Sequence, residues 1–289
     1  MKILQRAVLS LLIACMAVSG SNGKGVQKVS AATQAGYYTI ERSYPEYDNG
    51  RVTYTKVRGT NFAVLDHQIR VKSGSKVKTI VKSSNYITRV ITNGTKIFYQ
   101  ITNKVYSISK NGKNKKTVCT WKNNYSLSGV YNGCLYYDCR YGELDSDSTT
   151  YRYTIKTKKS VKLFDNQGIS KQRGTIMLVS GLANDVSPVS LKIYDLKTKK
   201  ATLLCKQQIG NQFIGSKLYY AKLIKYDYDA GDTYRILYYS LNTKKITTVC
   251  TIKGMNYISE FTAKGCYFLD RNSEKCFYNY KTGAVSRAS

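Results

Sequence analysis

The residues that could carry chemistry are few in this 289-residue sequence, and their spacing argues against most catalytic arrangements. His67 is the only histidine, in the hairpin sequence Asp66-His67-Gln68. Imidazole catalysis and histidine metal sites need partners, so any Ser-His-Asp or Cys-His arrangement would rest on His67 alone. No catalytic residue is assigned. Two acidic clusters interrupt a basic chain: Glu143-Leu-Asp145-Ser-Asp147 and Asp227-Tyr-Asp229-Ala-Gly-Asp232. Alternating carboxylates in a Gly-containing loop suit Ca²⁺, which takes several oxygen ligands, but neither cluster is a full EF-hand loop. Both read as polar hairpin tips, with Asp227, Asp229 and Asp232 as the alternative calcium ligands; no other cofactor is indicated. Tyr226 and Tyr228 beside the second cluster are candidates for a stacking platform under a sugar or peptide.

Lysine is the dominant functional group. The formal net charge is +29, and +25 without the first 35 residues, which hold four basic residues and no acid. A field of that sign favours polyanions such as wall polymers, acidic glycans or anionic head groups; the alternative is a solubilising surface. The lysines cluster in short turns that contain Lys115 and Lys116, Lys158 and Lys159, Lys199 and Lys200, and Lys244 and Lys245. Lysine outnumbers arginine there, which favours diffuse attraction over bidentate readout and argues against a specific nucleic-acid partner.

Those turns belong to a repeat. An aromatic, any residue, an aliphatic and a Lys/Thr/Gly-rich turn recur as Tyr106-Ser-Ile108, Tyr153-Thr-Ile155, Tyr194-Asp-Leu196, Tyr239-Ser-Leu241 and Tyr278-Asn-Tyr280, with a fainter copy at Ile69-Arg-Val71. A glycine before an apolar strand recurs in step, at Gly59, Gly94, Gly133, Gly174, Gly215 and Gly265. Strand-forming Tyr, Ile, Val and Thr fill the intervals, and no helical period is sustained. Four short strands per unit, repeated six times, predict an all-β chain: a six-bladed β-propeller of four-stranded blades, or seven blades if 36–49 hides a degenerate one. In such a blade the turns after strands one and three share a face, so the lysine turns should form a ring opposite most of the clustered acid. Tyr37-Tyr38-Thr39-Ile40 is expected to pair into the last blade and close the ring.

The repeat also sorts the cysteines. Cys119, Cys205 and Cys250 occupy the position held by Ile80 and Phe164 in other units, which predicts buried thiols. Cys134 and Cys266 are likewise equivalent. Cys266 and Cys276 flank a tight loop and would pair only if their Cβ atoms come close. Without a Cys-x-x-Cys pair, zinc is disfavoured.

This pattern of apolar-Tyr-Tyr strand, Leu-Tyr-Tyr-Ser-Leu strand and Lys-rich turn resembles secreted bacterial propellers of unknown function. These in turn are similar to the YWTD propellers of low-density-lipoprotein-receptor type, although the YWTD tetrad is absent here. The resemblance implies a fold and a binding role and brings no catalytic residues.

The N-terminus begins Met1-Lys2-Ile3-Leu4-Gln5-Arg6, followed by an apolar run to Val18 and small residues to Ala35. That is the plan of a signal peptide over 1–35, with a single domain over 36–289. The run is too short for a spanning helix, which needs about 20 residues. Leu12-Ile13-Ala14-Cys15 resembles a bacterial lipobox, so a lipid anchor at Cys15 is the alternative. The reading is a secreted or cell-surface monomer of a Gram-positive-like bacterium, binding an anionic wall polymer, glycan or protein. A glycan-acting hydrolase or lyase with carboxylates in the propeller channel is the rival.

Overall fold

Runs of Tyr, Ile, Val and Thr punctuated by turn residues have nowhere to satisfy their backbone except in ladders, and strands dominate the molecule. The structure, a computed structural model, describes residues 36–122, 124–140, 148–181 and 189–288. After β1 (Tyr37–Ile40), the ladders divide into consecutive antiparallel units of four strands. Unit 1 is β2 (Thr55–Val57), β3 (Thr60–Leu65), β4 (Gln68–Ser73) and β5 (Lys76–Lys82). Unit 2 is β6 (Ile87–Thr92), β7 (Lys96–Ile101), β8 (Lys104–Ser109) and β9 (Lys116–Thr120). Unit 3 is β10 (Tyr125–Tyr131), β11 (Cys134–Arg140), β12 (Ser148–Thr154) and β13 (Lys159–Phe164).

The later units run into one another. Unit 4 comprises β14 (Gln167–Gly174), β15 (Ile176–Gly181), β16 (Val189–Asp195) and the first half of β17 (Lys200–Ile214). The second half of β17 opens unit 5, followed by β18 (Lys217–Lys225), β19 (Asp232–Ser240) and the first half of β20 (Ile246–Phe261). The rest of β20 opens unit 6, with β21 (Gly265–Asp270), β22 (Lys275–Asn279) and β23 (Val285–Arg287). Both long strands change unit at a glycine in the left-handed region, Gly210 (φ 63°) and Gly254 (φ 72°), a conformation costly for other residues. The architecture is that of a β-propeller, as the repeat predicts.

Apolar side chains pack between successive units. Phe62, Ile69 and Val81 of unit 1 meet Ile87, Ile97 and Tyr99 of unit 2, and comparable cores join every later neighbour. Each buried Ile, Leu or Phe there contributes about 1.5–3 kcal/mol. Among the described residues, no such core and no strand ladder joins unit 6 to unit 1. Glutamines add polar staples: buried Gln100 accepts from Leu127 N–H and donates to Tyr125 O, tying unit 2 to unit 3. Gln172 of unit 4 accepts from Val130 N–H and donates to Val130 O of unit 3.

The N-terminal strand departs from expectation. β1 does not pair into unit 6, whose fourth strand is its own β23. It runs along the axis instead, antiparallel to β6 on one side and β14 on the other, the first strands of units 2 and 4. Tyr38 faces Thr92 and Arg173, and Thr39 accepts from Gln172 N–H at 2.9 Å. Inside the channel it satisfies both of its edges, whereas the rim of unit 6 would satisfy one. Residues 36–49 thus hold β1 and a short 3-10 turn, Pro45–Tyr47, rather than a seventh blade.

Candidate functional site

The lysine turns join the third and fourth strands of their units, as the repeat requires. Anchor residues Ile155, Leu196, Leu241 and Tyr280 donate their N–H to Gly133, Thr175, Ser216 and Lys264 of the neighbouring turn, so the two sequence markers meet in space. Lys158, Lys199 and Lys244 take left-handed φ values of 55°, 59° and 59°, where unit 6 has Gly283. Their amides close the turns on Thr154, Asp195 and Ser240 carbonyls. Lys115, Lys116, Lys158, Lys159, Lys199, Lys200, Lys244 and Lys245 are all exposed. Five of the six turns carry charge, all of it lysine, and the unit 1 turn, Gly74-Ser75, carries none. The bordering carboxylate, Asp195, caps its own turn at Lys197 N–H and lies 3.9 Å from Lys244.

The channel opens on this same face as a cavity of about 570 Å³. Lys56, Lys171 and Arg173 line it, with Glu41 and Glu260 as counter-charges. Lys171 is ion-paired to Glu41. Arg173 lies 5.3 Å over the Phe213 ring, and burial holds its guanidinium below its usual pKa.

The opposite face carries the loops after second strands. The cluster Glu143, Asp145 and Asp147 lies outside the described residues. In the other, Asp227 accepts from Lys225 at 2.7 Å and from Ala230 N–H, and Lys225 is the first cause of its lowered pKa. Asp232 accepts from Asp227 N–H and the Tyr234 hydroxyl. These bonds close the loop on itself, and Asp229 contributes its carbonyl to Arg271. No group of three metal-ligating side chains occurs among the described residues. Tyr226 and Tyr228 are 69% and 88% exposed, and neither ring has an aromatic neighbour among the described residues.

Two features went unread in the sequence. A second cavity of about 520 Å³, lined by Arg42, Tyr44, Thr88 and Arg89, opens where β1 leaves the axis on the carboxylate-bearing face. Its signal was that 41–54 falls outside the repeat, where a segment is free of the packing role that the repeat enforces. Beside it lies Asp138, buried on β11. Its carboxyl is 2.5 Å from the hydroxyls of both Ser128 and Thr150 and accepts from Ile169 N–H. Each hydroxyl also has a carbonyl in reach, Ser126 O and Gln167 O. Burial pushes the Asp138 pKa up. A protonated Asp138 supplies a further hydrogen to that crowded set of acceptors.

Cys139, Cys205, Cys266 and Cys276 are buried, whereas Cys119, Cys134 and Cys250 are only half-buried against the cores, so of the three expected buried thiols Cys205 alone is fully enclosed. All seven among the described residues are free thiols, and burial pushes Cys205 and Cys250 up to about 11 and Cys119 and Cys266 up to about 12. Cys266 pairs in register with Tyr278, not Cys276. The His67 ring lies 4.7 Å from that of Tyr86, tilted by 38°. No described helix is long and apolar enough to cross a membrane.

No family matches the sequence, and no curated protein is similar to it. Among solved structures, an oligogalacturonate lyase from Vibrio parahaemolyticus is similar over 86% of this chain and 78% of its own, at 10% identity and a TM-score of 0.51. A manganese complex of oligogalacturonate lyase covers 77% of this chain and 70% of its own, with 10% identity and a TM-score of 0.47. The propeller domain of a trilobed protease from Pyrococcus furiosus covers 79% and 76%, with 12% identity and a TM-score of 0.44. At such identities the likeness extends to the fold alone.

Proposed function

We propose that this protein is an exported, non-catalytic binding module that holds an anionic polymer, such as a wall polymer or acidic glycan, against its lysine face. The observation that carries the reading is that lysine is the sole charged residue type in these turns and occurs in five of the six, on one face. Exposed ammonium groups there pay little desolvation and gain attraction that sums over a polymer but is weak for any one anion. The cationic mouth at Lys56 and Arg173 lies within this ring and suits an acidic group of the bound chain. Export through the segment 1–35, by cleavage or by lipidation at Cys15, belongs to the same proposal. Calcium at Asp227, Asp229 and Asp232 is not needed by it.

The test is retention of the purified protein on beads bearing poly(glycerol phosphate) or polygalacturonate. Replacing the eight turn lysines named above by glutamine should move elution to clearly lower salt; unchanged elution, or no retention at about 0.15 M salt, refutes the reading. The rival, a glycan hydrolase or lyase, draws on Glu41 and Glu260 in the channel mouth and on the propeller shared with the Vibrio lyase. The Lys171 ion pair already neutralises Glu41, which disfavours it as a general base. Release of unsaturated or reducing sugar ends that disappears in Glu260→Gln would reverse the choice.

A further inference from the structure

We propose a second ligand site, apart from the lysine turns, at the opposite channel mouth: where β1 emerges, the protein binds a saccharide carrying an isolated acidic group, of the uronic-acid type. The site is built around Arg42. Its guanidinium sits 5.9 Å from the ring centroids of both Tyr44 and Tyr86, and the His67 ring lies tilted 4.7 Å from Tyr86. Arg42 cannot swing away, because it donates to Asp66 Oδ1 and to Ile87 O, each at 2.5 Å. The strand exit is pinned as well: Ser43 donates its N–H to Val64 O and accepts from Thr53 N–H. The result is a fixed row of aromatic and guanidinium planes beside a cavity of about 520 Å³, within the size range of small-ligand pockets.

The cavity's chemistry selects the ligand class. Its charges cancel in pairs, Arg42 with Asp66 at the rim and Lys171 with Glu41 within, which makes it a poor host for a polyanion. Arg89 lines the cavity and makes no salt bridge among the described residues; Asp138, the carboxyl that acts on it electrostatically, is buried and already held by Ser128, Thr150 and Ile169 N–H. A guanidinium without a salt bridge fits one carboxylate, in bidentate geometry. Hydroxyls of Thr39, Thr88 and Ser170 line the rest. Tyr44, 48% exposed, lines the cavity, and two further exposed rings adjoin its residues: Tyr86, 57% exposed, beside Arg42, and Tyr47, 85% exposed, 6.3 Å from Tyr44. Exposed aromatic faces for C–H surfaces, hydroxyls for hydroxyls and one cation for one acid describe an acidic sugar better than a peptide or lipid.

The experiment is calorimetric titration of the full chain with hyaluronan tetrasaccharide, trigalacturonate and the uncharged chitotetraose. At least one uronate should bind, and at least tenfold more tightly than chitotetraose. Arg89→Gln should erase that preference, and Tyr47→Ala, which alters an exposed ring and spares the fold, should weaken binding severalfold. Tyr44→Phe should bind as the parent does. The eight-lysine variant should leave these titrations unchanged while losing polymer retention, which separates this site from the lysine face. Absence of heat with both uronates, or loss of binding in the lysine variant with none in Arg89→Gln, overturns the proposal.

Discussion

Asp138 shows how a single proton can be written into packing. Its carboxyl joins three strands of unit 3 to the first strand of unit 4 through Ser128, Thr150 and Ile169. Because burial raises its pKa in the folded state, its contribution to stability is full below the unfolded-state pKa near 4 and is lost as pH rises toward the folded value. Asp138→Asn keeps the shape and removes the titration. Its melting temperature should exceed the parent's at pH 7, and the gap should close on acidification toward pH 4; a variant less stable at pH 7 would mean the native carboxylate is ionised. A second residue-scale prediction concerns Lys199, held at φ 59° where unit 6 uses Gly283. The left-handed penalty of about 1–2 kcal/mol is only partly offset by the greater flexibility of unfolded glycine. Lys199→Gly should therefore raise stability by up to about 1 kcal/mol in denaturant melts, even as it removes a positive charge.

At the scale of elements, β1 works as a strap across the channel. Ile40 is buried with Val57, Ile87 and Val90, so Ile40→Ala should cost about 2–5 kcal/mol. Thr39→Val, nearly the same in shape, orphans the Gln172 N–H and should cost about 1–3 kcal/mol. Both are read from chemical melts of the purified chain. The strands of the repeat were legible in the sequence because each unit restates the others: Tyr194-Asp-Leu196 and Gly174 are interpretable beside Tyr239-Ser-Leu241 and Gly215. β1 has no counterpart to be compared with. Its four residues fit any vacant edge, and only the three-dimensional choice between the rim of unit 6 and the β6–β14 gap decides its place. The same holds for Gln100 and Gln172, whose partners in unit 3 lie outside any local pattern.

For the whole molecule, charge and seam are the governing features. Lysines crowd one face while Asp66, Asp165, Asp227 and Asp270 border the loops and links of the other, so repulsion within the lysine face opposes folding. Stability should rise as sodium chloride goes from about 0.01 M to 0.2 M, because screening relieves that repulsion; a falling melting temperature would show the surface ion pairs to matter more. The lysine ring could be foreseen because turn position sets face. The saccharide platform could not, since Arg42, Tyr44, Tyr86 and Arg89 come from two segments that the fold brings together around β1. Among the described residues, the seam between units 6 and 1 lacks the apolar core found at every other junction, so amides of β2 and β23 should exchange hydrogen fastest among the strands.

The axial strand also sets a timetable. The bond from Gln172 to Thr39 spans 133 residues, so a ribosome adding about 5–20 residues per second leaves the earliest described strand waiting roughly 7–27 s for its second partner. Through that interval Tyr37–Ile40 exposes an unpaired edge beside apolar side chains, the form of chain most prone to pair with a stranger. The molecule is most vulnerable, on this view, at an element that later pairs along both of its edges.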